Sequence, residues 1–104
     1  MRIDAIVKVH FYKPGNGGLP KTFSARTFRC PFQFGDALHE GGLLTNSMPI
    51  EPGQTYTLPL VFLQPDLVRP KLTVGMKIFL KNGFVKNLGE AEILEICPEN
   101  VTVN

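Results

Sequence analysis

Cysteine is scarce in this chain: Cys30 and Cys97 are the two present, with no Cys-x-x-Cys pair. That excludes a disulfide framework and a closely spaced zinc site, and leaves two reduced thiols packed as small apolar side chains. Histidine is equally sparse, with His10 and His39 far from each other and from both thiols in sequence. Metal ligands are normally spaced closely, so no metal site and no cofactor is expected. The chain also lacks any run near the ~18 apolar residues that a membrane-crossing helix requires. Asp4 and Lys8 interrupt the stretch where a signal peptide would need its apolar centre, so a cytoplasmic protein without membrane association is expected. Charge of one sign is missing too. Eleven basic residues stand against nine acidic ones, net +2, which permits nucleic-acid binding without indicating it.

What is present suits one ordinary domain. The 104 residues are 43% hydrophobic and 19% charged, enough apolar area for a single core. Ile3, Ala5, Val7, Val9 and Phe11 alternate with Asp4, Lys8, His10 and Tyr12, with Ile6 as the misfit. Period two predicts a strand with one buried face, which places Asp4 on the solvent side. The Gly- and Pro-rich stretch from Lys13 to Pro20 predicts an exposed loop. From Thr22 to Phe34 the alternation of Phe28, Cys30, Phe32 and Phe34 reads as one long, bent strand. Ala37 to Glu40 fits a helical turn and a short strand equally well.

Pro52-Gly53 marks a turn before a strand over residues 54–63, with Tyr56, Leu58, Leu60 and Phe62 on one side. Pro59 has no amide to donate, which predicts an edge or a bulge there, and with residues 36–47 it could mark an open side for dimer pairing. Val74 to Leu80 and Leu88 to Ile96 read as further strands around the hairpin signal Asn82-Gly83. No window carries a helical stripe. Five or six short strands in one small domain predict an antiparallel barrel or sandwich.

The motifs point away from chemistry. Gly15 to Thr22 nearly spells a phosphate-binding loop, but Pro20 removes an amide where phosphate would be held, and strand-like residues follow where a helix is needed. Ser24 and Ser47 lie outside any nucleophile motif, and Glu90, Glu92 and Glu95 read as a solvated face. No enzyme activity is expected. Lys21, Arg26, Arg29 and Lys86, interleaved with Phe23, Phe28 and Phe84, form the one composition that could touch a nucleic-acid backbone.

Several segments carry a resemblance when taken in order. Asp4-Ala5-Ile6-Val7-Lys8-Val9 opens the chain, Gly17-Gly18 precedes Thr22-Phe23, and Phe28-Arg29-Cys30-Pro31-Phe32 follows. Pro52-Gly53 then leads a hydrophobic strand to Gln64-Pro65, ahead of Gly75-Met76-Lys77-Ile78-Phe79-Leu80 and Leu88-Gly89-Glu90-Ala91. This order resembles the third, C-terminal β-barrel domain of elongation factor Tu over roughly residues 2–97. The resemblance implies an all-β, six-stranded antiparallel Greek-key barrel over residues 1–97, with 98–104 a tail or the end of the last strand. In that family the barrel docks the tRNA T-stem, the GTPase domain and the exchange factor, and hosts no chemistry.

Departures narrow what carries over. The family's GTPase domain and second barrel are not in this chain, so GTP hydrolysis is not expected of it. Leu19-Pro20-Lys21 replaces a conserved-type His-Thr step of the family loop, and Gly83-Phe84-Val85-Lys86-Asn87 is longer than its counterpart. The expected function is a non-catalytic binding module that docks a protein partner. The alternative is a weak RNA- or tRNA-binding module related to translation. Lys21, Arg26, Arg29, Phe84 and Lys86 are the candidate contacts in either case.

Overall fold

The computed structural model describes residues 2–15, 17–83 and 86–98. Six strands build it: β1 (Ala5–Phe11), β2 (Thr27–Phe34), β3 (Ala37–Leu44), β4 (Thr55–Phe62), β5 (Lys77–Asn82) and β6 (Lys86–Ile96). They close into an antiparallel barrel in the order β1-β4-β3-β2-β5-β6. The meander β2-β3-β4 with β1 returning beside β4 is a Greek key. Closure removes free sheet edges, so the open side suggested for residues 36–47 is not there: β3 lies between β2 and β4.

The alternation read from the sequence is the alternation that fills the barrel. Ala5, Val7, Val9 and Phe11 are wholly buried, as are Phe32, Leu43, Leu60, Ile78, Leu80 and Ile93. Phe32 and Phe62 meet edge to face at 6.0 Å, and Phe28 is gripped between Phe11 at 5.2 Å and Phe23 at 4.7 Å. Each such ring contributes about 1.5–3 kcal/mol by leaving water. Phe23 and Phe28 therefore belong to the core and its margin, not to a base-stacking surface.

The structure corrects further expectations and settles one left open. Residues 22–26 do not extend β2; Phe23 makes only an isolated bridge to Ile50 before the strand begins at Thr27. Ala37–Leu44 is a strand because Gly35, at φ 58, turns the chain tightly enough to pair Phe34 with Ala37. A short helix, α1 (Pro65–Val68), and a 3-10 turn (Arg69–Lys71) follow β4, too short for any sequence period to announce.

Pro59 is neither at a sheet edge nor in a bulge. It pairs with Ile6 of β1, and it lies one step beyond Leu43↔Leu60, where the β3–β4 ladder ends. Pro31 repeats the device: the β2–β5 ladder stops at Phe32↔Leu80, one step short of it. Each proline sits where no partner strand needs an amide.

Asp4 is a further correction. It is wholly buried, although β-alternation places it outside. Its carboxylate accepts the Phe62 amide at 2.8 Å and the Arg69 guanidinium at 3.0 Å, and Arg2 lies 3.1 Å away. Arg69 also donates to the Cys97 carbonyl, while the Cys97 amide donates to the Asp4 carbonyl at 3.0 Å. These bonds fasten the start of the chain, the end of β4, the 3-10 turn and the residue after β6 to one point. Charged partners on every side make burial of the carboxylate affordable.

Candidate docking groove along strand three

Gly41 and Gly42 are adjacent on β3 and serve opposite faces. A Cβ on Gly41 would lie 3.0 Å from the Phe32 ring and 3.2 Å from that of Phe62, so the inward glycine makes room for two core rings. A Cβ on Gly42 would lie 2.7 Å from the Thr27 methyl, on the outside of the barrel. There the missing side chain makes room for that methyl.

Beside Gly42 runs a groove of about 560 Å³ on the outer face of β2, β3 and β4. Its floor and walls include Thr27, Gly42, Leu44, Val61 and Leu63, and Arg2, Arg29 and Glu40 carry its charge. Leu63 is 71% exposed. A smaller depression lined by Leu38, His39, Glu40, Leu63 and Gln64 adjoins it, since both share Glu40 and Leu63. Together they follow β3 from Leu44 to Leu38, roughly 20 Å at the rise of a strand. Apolar side chains on the outer face of a barrel strand are surface that an occupant could cover.

Arg29 projects from β2 beside Gly42, its register partner, and makes no ion pair among the described residues. Lys71, on the 3-10 turn, reaches His39 with Nζ 2.9 Å from Nε2. His39 also packs edge-on against Phe34 at 5.6 Å. Burial first, then the neighbouring Lys71 charge, lowers the His39 pKa from its ordinary value.

Four of the five candidate contacts are among the described residues. Arg29 alone of them lines the groove among the described residues. Lys86 opens β6 opposite Asn82 and covers Gly17, whose Cβ would collide with the lysine stem. Lys21 is exposed in the loop before β2, and Arg26 is exposed at the foot of that strand, its carbonyl taking the Thr45 and Asn46 amides at 3.0 Å. Phe84 lies outside the described residues. Sequence reasoning missed Gly42, Val61 and Leu63; the adjacent glycines inside an apolar stretch were the available signal.

Elsewhere, polar side chains satisfy one another. Lys8, His10, Thr55, Lys77, Glu90 and Glu92 line a cleft on the opposite sheet seam, where Lys77 lies 3.3 Å from Glu90 and the Tyr12 hydroxyl donates to the same carboxylate at 3.3 Å. Burial and Glu90 raise the Tyr12 pKa. No group of three or more His, Cys, Asp or Glu side chains suited to a metal occurs among the described residues. Cys30 is buried, and that burial, ahead of the Glu40 charge, pushes its thiol up to about 12. The loop before Thr22 leads into the Phe23 bridge rather than a helix. No helix among the described residues is long and apolar enough to cross a membrane. Neither a protein-family model nor a curated protein matches this chain.

Proposed function

We propose that the chain is a non-catalytic docking module of the elongation factor Tu C-terminal kind, holding a protein partner in the groove along β3. The observation that carries this reading is the row Leu44, Val61 and Leu63 beside Gly42, apolar surface turned outward from a filled barrel. The closed six-stranded Greek-key order supports the resemblance, as do Gly53 at φ 81 and Gly75 at φ 91, turn positions that favour glycine and that the family pattern also occupies with glycine. Two buried, unbridged thiols suit a cytoplasmic setting. Of Lys21, Arg26, Arg29 and Lys86, Arg29 alone lines the groove, which favours a protein over RNA there, because phosphate binding draws its strength from several cations acting along one backbone.

The test compares proteins retained from nuclease-treated native extract by the wild-type chain and by a folded Val61→Lys variant. Proteins kept by the wild type and lost by Val61→Lys support docking in the groove. Identical retention by both overturns it, and retention that disappears on nuclease treatment favours the RNA-binding alternative.

A further inference from the structure

We infer that the β3 groove recognises an extended peptide in which apolar and acidic side chains alternate along one face. The inference rests on the docking reading above and specifies the chemistry of the partner. The two adjoining depressions follow one strand, so the matching occupant is linear. Outward residues on β3 recur every second position, Leu38, Glu40, Gly42 and Leu44, and an extended peptide laid along them offers side chains at the same period. One apolar side chain enters the groove against Leu44 and Val61, and a second lies against Leu38 and Leu63.

Charge decides what stands beside these anchors on the same face of the peptide, two positions along. Arg2 and Arg29 face the main groove and Lys71 stands at His39 beside the smaller depression, against Glu40 as the exposed acid on the same path. Asp4 offsets little at this surface, because it is buried and shared between Arg2 and Arg69. The excess is positive, and Arg29 has no ion partner among the described residues. An acidic side chain two positions from the apolar anchor supplies that partner, with a planar guanidinium suited to bidentate contact.

Fluorescence anisotropy with the full chain tests this directly, using labelled peptides in which every second residue alternates leucine with aspartate, leucine with lysine, or serine with aspartate, the residues between them being serine. The leucine–aspartate peptide is expected to bind at least roughly tenfold more tightly than either other peptide, since both the apolar anchor and the charge are required. Arg29→Glu, checked for folding by circular dichroism, is expected to reverse the preference toward leucine–lysine. Equal binding of acidic and basic peptides, or an unchanged preference in Arg29→Glu, overturns the inference. If extract proteins are still lost by Val61→Lys while the peptides show no acid preference, the acidic-peptide inference fails and the docking reading stands. If Val61→Lys changes neither measurement, both fail.

Discussion

Asp4 Oδ1 and Arg69 Nη1 meet at 3.0 Å beneath the surface, joining the residue before β1 to the 3-10 turn that follows β4. Asp4 is wholly buried, and the Phe62 amide binds its other oxygen at 2.8 Å. Asp4→Ala removes the acceptor from both donors and leaves Arg69 without its buried carboxylate. Loss of about 3–5 kcal/mol is expected, read as a lower urea midpoint at unchanged slope. Asp4→Asn, which keeps an acceptor for Phe62, should lose less.

Gly89 tests the barrel rather than the clasp. It pairs with Phe11 on one side and Leu80 on the other, and a Cβ there would collide with the His10 carbonyl oxygen. Backbone cannot swing aside as a side chain can, so Gly89→Ala should destabilise by about 1–3 kcal/mol in the same urea measurement. Gly35→Ala meets nothing within 4 Å, although its φ of 58 remains strained for alanine. Its loss should be the smaller of the two.

The Cys30 thiol predicts a stability change at alkaline pH. Its folded pKa is raised to about 12 by burial, above the unfolded value. Its contribution is therefore whole below the unfolded pKa and declines as pH rises toward about 12. The slope approaches about 1.4 kcal/mol per pH unit inside that window. Urea unfolding of wild type and Cys30→Ala at neutral pH and near pH 10.5 should show the wild type losing the more stability between the two.

His39 moves in the opposite sense. Its folded pKa is lowered, so the stability it contributes is present above its unfolded pKa and is lost as pH falls through the folded value. An NMR titration should place the His39 midpoint below the ordinary histidine range. Burial is the larger cause and Lys71 the smaller, so Lys71→Ala should raise the midpoint while leaving it below that range.

The barrel strands were legible where alternation is local. Ile3 through Phe11, Phe28 through Phe34 and Tyr56 through Phe62 announce their inward faces because neighbouring side chains on a strand point to opposite sides. The hairpin at Asn82-Gly83 was legible for a similar reason: Gly83, at φ 74, has a backbone preference of its own. Asp4 was not, because nothing in its neighbours tells that Phe62 and Arg69, far along the chain, will bring donors to it. The groove was half legible. Arg29 was a candidate contact from its charge, whereas Val61 and Leu63 read as ordinary strand residues.

The sequence by itself determined which side chains fill the barrel and where the chain turns, since those follow from stereochemistry within a few residues. Tertiary structure alone decided that Gly41 makes room for core rings while Gly42 makes room for the Thr27 methyl, and that Arg29 belongs with Val61 while Lys86 belongs with Gly17. Such pairings depend on register between strands distant in sequence. No local preference of either residue encodes that register; closure of the whole sheet sets it.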